Sequence, residues 1–271
     1  MQQDAFSLNR KRLTSYRASQ AWWRRHGGED GAPCSGRYHT EMVDLHVDAE
    51  NPLAHSLSEP ARRFGFAAAV ALLITILSYT VVLAIGLLRL PTAADPIRGP
   101  VFVVLELLII ALGPMLVALA VAIHAWADAE VQFYSLCGVV GMSLAALVTC
   151  SLHFVIIAIG TQAAMTAWPA LPLLLSFTWP SIAYALDILA WDVFFPLGAL
   201  TLAMVFRGTR LTDWIRRLLM GSAVLAFSGL SGVLLNNMAW RNLGIVGYAV
   251  VFPVAVALIA ILFRRPAPIA V

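Results

Sequence analysis

Residues 181–206 read SIAYALDILAWDVFFPLGALTLAMVF. The run exceeds the ~20 apolar residues that take an α-helix across a bilayer. It nevertheless holds two carboxylates, Asp187 and Asp192, and Pro196 follows the second by four residues. A charged side chain inside a membrane helix costs about 2.5–3.5 kcal/mol on insertion scales, which makes each aspartate a candidate functional residue. The stretch decides the fold class, because nothing this apolar and this long belongs on a water-facing helix.

The rest of the chain agrees. Of its 271 residues 60% are hydrophobic and 12% charged, with a mean hydropathy of +0.81. Soluble domains carry about 25% charged residues. The net charge is +3, and Lys11 is the single lysine. The arginines gather at the ends of apolar segments, a pattern that orients a membrane protein rather than one that binds nucleic acid. Cys34, Cys137 and Cys150 form no CxxC pair and no zinc spacing, so they read as small apolar residues.

Residues 1–60 differ in kind. They hold Arg10, Lys11, Arg12, Arg24, Arg25 and a Gly-rich HGGEDGAP, with no apolar core of a signal peptide and no sustained period. This predicts a disordered cytoplasmic tail, within which AWWRR (21–25) could dock on anionic lipid. Met42 is an alternative start. Ser58, Glu59 and Pro60 then resemble a helix start, with a cap, an acid and a proline in order.

An all-α, six-span transmembrane bundle is expected over 61–265, with a short C-terminal tail at 266–271. The spans fall at about 64–88, 101–124, 135–160, 181–206, 217–236 and 244–263. Arg62, Arg63, Arg207, Arg210, Arg216, Arg217, Arg264 and Arg265 lie on one side, and Arg89, Arg98 and Arg241 on the other. Eight against three puts both termini in the cytoplasm. The uncharged, proline-punctuated segment 161–180 is too short to cross and reads as an interfacial or re-entrant piece on the outer face.

At about 1.5 Å rise per residue, Glu106, His153 and Asp187 share one level, roughly 8–9 Å outward of the membrane centre. Tyr79 and Thr80 lie near it. Ser181, Tyr184, Asp187 and Trp191 share one arc of the fourth helix and should face the bundle. Asp192 lies about 140° from Asp187, which places it apart, near the midplane. There Pro196 removes the backbone partner of the Asp192 carbonyl, so that a cation or water site is conceivable. Pro114, Pro196 and Pro253 sit near their midpoints, where kinks at one level would open a cavity.

This level supports several readings. Glu106, His153 and Asp187 could form a proton-relay or solute pocket open to the outside, hold a metal, or simply bond helices together. Bis-histidine haem is not expected, since His124 and His153 differ by about 25 Å in depth. Gly138, Gly141 and Ala145 on the third helix, and Ser222, Ala226, Ser228 and Gly232 on the fifth, mark close packing. No P-loop, GxGxxG, HExxH or GxSxG occurs.

The passage LDILAWDVFFPLGAL (186–200), with FTWP (177–180) ahead of it, resembles uncharacterised six-span bacterial membrane proteins over roughly residues 60–265. The resemblance implies an inner-membrane location and lends no catalytic residues. The leading expectation is small-solute or proton-coupled transport, or ligand binding, through an outward polar pocket of Glu106, His153, Asp187, Tyr184 and Trp191. Asp187 and His153 would exchange the proton, with Glu106 their partner and Asp192 a deeper gate. A membrane-embedded enzyme or metal protein, and a non-catalytic scaffold subunit, are the alternatives. No cofactor is expected. The bilayer is the expected partner, with a second copy or a membrane partner subunit left open.

Overall fold

The computed structural model describes residues 58–92, 95–160, 162 and 167–265. The expected tail before residue 58, with AWWRR and Met42, and the tail at 266–271 lie outside them.

Six helices are long and apolar enough to cross a membrane: Glu59–Leu88, Gly99–Trp126, Ala129–Ile159, Ile182–Ala203, Arg210–Leu234 and Met238–Arg264. They are called here the first to sixth spans. No strand occurs among the described residues. The chain is an all-α bundle and a multi-pass membrane protein by the length and composition of its helices. The fifth span starts earlier than its apolar run, because Thr209 and Thr212 form a capping box ahead of Arg210. Ser58 does occupy the N-cap position of the first span, but its hydroxyl caps nothing.

Each span packs on its neighbours in sequence, and the sixth returns to the first, closing a ring. Arg62 donates to the carbonyls of Arg264 and Arg265, tying the start of the first span to the end of the sixth. At the same end of the ring Arg207 pairs with Glu130 at 2.9 Å, and His124 bonds Ser135 at 2.7 Å. The ring is filled by apolar side chains such as Leu72, Met142, Phe195, Ile215 and Ile259. Outward faces expose Ile74, Leu77, Leu107, Leu147, Phe154 and Val224, as helices in lipid do.

Close approach is fixed by glycine. A Cβ at Gly141 would lie 2.8 Å from the backbone of Gly198, so the third and fourth spans meet glycine to glycine. Gly247 likewise faces the Ser222 carbonyl, and the Ser222 hydroxyl donates to the carbonyl of Gly247 at 2.9 Å.

The three prolines are accommodated in two ways. Pro114 sits in an unbroken second span. Its ring lacks the N–H that would bond the Ile110 carbonyl. The Cys150 thiol of the third span donates to that carbonyl instead, at 3.3 Å, and Gly113 leaves room for the sulfur. The fourth and sixth spans are broken. Each contains a π-helical turn, at Leu189–Phe194 and Gly247–Val251, two residues ahead of Pro196 and Pro253. There the Phe195 N–H reaches back to Ala190 and the Phe252 N–H to Gly247. The wider turn moves the preceding carbonyls clear of the proline ring, which explains why it stands there. The crevice at the ring centre is lined by Leu116, Leu119, Met142, Leu202, Phe252 and other apolar side chains.

Candidate functional site

The polar residues of the spans converge at the end of the ring opposite Arg62 and Glu130. Glu106 of the second span and His153 of the third are both buried, with Glu106 Oε2 2.7 Å from His153 Nδ1. The other ring nitrogen, Nε2, faces Asp187 Oδ1 of the fourth span at 4.0 Å, too long for a hydrogen bond. Asp187 Oδ2 accepts from Arg241 Nη2 at 2.6 Å. Arg241 Nε donates to Asp192 Oδ2 at 3.3 Å. The guanidinium also lies 4.5 Å from the centre of the Tyr184 ring, a cation–π contact.

Arg241 is the residue that sequence reading misplaced. Counted as an outer-loop arginine, it is only 5% exposed and belongs to the site. It enters because the chain turns tightly before the sixth span: Asn236 takes a positive φ of 50°, Asn237 caps Ala239, and Met238–Arg241 forms a 3-10 turn. Gly232 makes room, since a Cβ there would lie 3.1 Å from the Arg241 nitrogen. No spacing in the sequence singled it out: Arg241 stands two residues (NL) ahead of GIVGYAVVF, Arg98 stands two residues ahead of the run at 101, and Arg89 follows Leu88 directly.

The separation of the two aspartates also changes. Residues five apart stand about 140° round an α-helix, but Asp192 lies in the π turn, whose i→i+5 repeat returns the fifth residue towards the same face. Both carboxylates therefore reach one guanidinium. Asp192 is fully buried, and its carboxylate lies against the backbone of Gly229 and Gly244: a Cβ on Gly229 would come within 3.0 Å of it, and one on Gly244 within 2.9 Å of Oδ1.

Aromatic rings close the site on two sides. Towards the ring centre Trp191, Phe195 and Tyr248 form one cluster, with Trp191 and Tyr248 centroids 5.2 Å apart. Trp191 thus lies beneath the charged groups. At the loop end, residues 167–180 carry a short helix, Leu171–Leu175. Phe177 stacks on His153 with centroids 5.4 Å apart, and Trp179 meets Tyr184 edge-on while its Nε1 donates to Asn236 at 3.4 Å. Ser181 caps the fourth span by accepting from the Tyr184 N–H at 3.1 Å. Tyr79 of the first span lies within electrostatic reach of Asp187, Glu106 and Arg241.

The site thus joins Glu106, His153, Asp187, Arg241 and Asp192 in sequence across four spans. Three acids stand against one permanent cation and one imidazole. Two of its atoms, His153 Nε2 and Asp192 Oδ1, are buried without a hydrogen-bond partner among the described residues. No three His, Cys, Asp or Glu side chains among the described residues converge as metal ligands, because His153 Nδ1 is taken by Glu106 and Asp187 is held by Arg241. Comparison of the chain with protein-family models, curated proteins and solved structures returned no match.

Proposed function

We propose that this is a small proton-coupled membrane transporter or ligand-binding protein, working through the polar site in the outer half of the bundle. Its termini face the cytoplasm of a bacterial cell, in the inner membrane. The observation that supports the reading most is the uncancelled charge of the buried chain. An apolar interior tolerates ions only when they are paired and fully bonded. A purely structural network would match its charges and leave no orphan; here both aspartates share one guanidinium, Glu106 has only the imidazole, and two buried atoms are unbonded. Such a site gains stability by taking up a proton or a cationic group. Burial of Arg241 raises the arginine imbalance to eight against two, which favours the proposed orientation.

The test is flux in proteoliposomes carrying a trapped pH dye. A potassium diffusion potential is imposed, alone and with small amines, carboxylates and neutral solutes in turn. Protein-dependent proton movement with one class, lost in Asp187→Asn of unchanged helicity, is the expected result. No proton movement with any class would overturn the reading and favour a scaffold role.

A further inference from the structure

We infer that the site is a two-position switch, worked by a proton on His153 Nε2 and a sliding Arg241. The inference rests on the proton-coupled reading above and names the proton-binding atom and the moving cation.

In the observed position the guanidinium is split between two acids. Its Nη2 holds Asp187 Oδ2 at 2.6 Å and its Nε holds Asp192 Oδ2 at 3.3 Å. A guanidinium and a carboxylate bind best as a fork, two parallel N–H···O bonds to one acid. Arg241 forgoes that here, and the consequence is visible: Asp192 Oδ1, the oxygen a fork would use, has no partner. The other orphan, His153 Nε2, stands 4.0 Å from Asp187 Oδ1. One rearrangement satisfies both. If Nη2 leaves Asp187 for Asp192 Oδ1, Arg241 forks on Asp192 alone. Asp187 is then released to close the gap of about 1 Å that separates it from hydrogen-bond distance of Nε2.

The proton sets the direction. With neutral His153 donating from Nδ1 to Glu106, Nε2 is a bare acceptor and repels the Asp187 carboxylate, so Asp187 prefers Arg241. A proton bound at Nε2 makes the ring an imidazolium that donates at both nitrogens, to Glu106 and to Asp187. One proton is gained from solvent or solute and no other covalent bond changes. The net charge of the five side chains goes from −2 to −1, with the three acids ionised. Glu106 and Asp187 face His153 itself, and the titratable and charged groups around the Asp187–Arg241 pair are Tyr79 from the first span, Tyr184 and Asp192 from the fourth and Tyr248 from the sixth. From the fifth span the backbone of Gly229 lies against Asp192 and that of Gly232 against Arg241. Gly244, one turn beyond Arg241, carries no side chain to cover Asp192 Oδ1. The Arg241 pairs join the two spans that contain π turns.

The experiment is nitrogen NMR of the full chain in detergent, with 15N-labelled histidine and arginine, titrated from pH 9 to pH 5. His153 is assigned by His153→Gln or, if that variant does not fold, by elimination with glutamine variants of the other five histidines, His26, His39, His46, His55 and His124. Arg241 is assigned by Arg241→Lys or by its proximity to the Tyr184 ring. One transition read at the same midpoint at His153 Nε2 and at the Arg241 nitrogens is expected, with the Arg241 change abolished in His153→Gln. An Arg241 signal that stays constant while His153 gains its proton would overturn the switch, as would a His153 that keeps one neutral tautomer throughout. The titration needs no solute and no flux. Failure of transport with a coupled titration would therefore refute the proposed function alone, and flux with an unmoving Arg241 would refute the switch alone.

Discussion

Removing the cation from the site should be the most damaging single change in the bundle. Arg241→Gln leaves Asp187 and Asp192 facing each other with no counter-ion but the distant imidazole. Breaking a buried ion pair from one side costs about 3–5 kcal/mol, because the remaining charge is left without compensation. Here two acids lose their partner at 2.6 Å and 3.3 Å, and the Tyr184 contact at 4.5 Å goes as well. Glutamine keeps one donor, so the estimate stays at about 3–5 kcal/mol rather than doubling. At about 2–4 °C per kcal/mol for a chain of this size, the apparent Tm should fall by about 6–20 °C. Cys137 and Cys150 are free and only partly buried. A maleimide dye that fluoresces on thiol exposure therefore reads the melt directly. The decisive comparison is the triple variant Asp187→Asn, Asp192→Asn, Arg241→Gln. The triple variant leaves no unpaired buried charge, so it should recover part of the lost Tm. A single variant within 1 °C of the parent, or a triple variant no more stable than the single one, would refute the charge argument.

Other expectations follow from the packing. Gly141→Ala should cost about 1–3 kcal/mol, since its Cβ would meet Gly198 backbone at 2.8 Å, whereas Gly221→Ala, with nothing within 4 Å, should be neutral in the same melt. Cys150→Val should destabilise by about 0.5–1.5 kcal/mol through the stranded Ile110 carbonyl, and Pro114→Ala should abolish that penalty by restoring the helix's own donor; a double-mutant cycle measures the coupling. Arg207→Gln should change stability by less than about 0.5 kcal/mol, because its pair with Glu130 is largely in solvent. Gly244→Ala should press on Asp192 Oδ1 at 2.9 Å and lower proton flux more than it lowers Tm.

The six spans were legible because about 20 consecutive apolar residues have few other uses. The shared level of Glu106, His153 and Asp187 was legible too, since depth follows from counting along straight helices. What escaped the sequence depended on backbone irregularity. A helical wheel assumes 100° per residue, and that assumption fails across Leu189–Phe194, so Asp192 was placed on the wrong side of its own helix. Arg241 escaped for a related reason. Its position is set by a tight turn at Asn236 and Asn237 and by the absence of a side chain at Gly232, neither of which leaves a periodic signal.

The distribution of charges and breaks is not independent. The first, second, third and fifth spans are free of π turns, and within the membrane they contribute to the site only Tyr79, Glu106, His153 and glycine backbone. The fourth and sixth spans carry the π turns, the prolines behind them, and the three groups joined in one ion network: Asp187, Asp192 and Arg241. A π turn followed by proline has fewer backbone bonds to lose on bending than an α-helix does. Charges that must change partners are therefore mounted on the two helices that bend most cheaply, and the imidazole that senses the proton is mounted on a rigid one. If the arrangement were only structural glue, the breaks would be free to fall on any span. Straightening the fourth span by Pro196→Ala then separates the two cases. The switch predicts a pH-linked Arg241 signal in the parent that the variant loses while staying folded, whereas glue predicts the same Arg241 signal, constant with pH, in both.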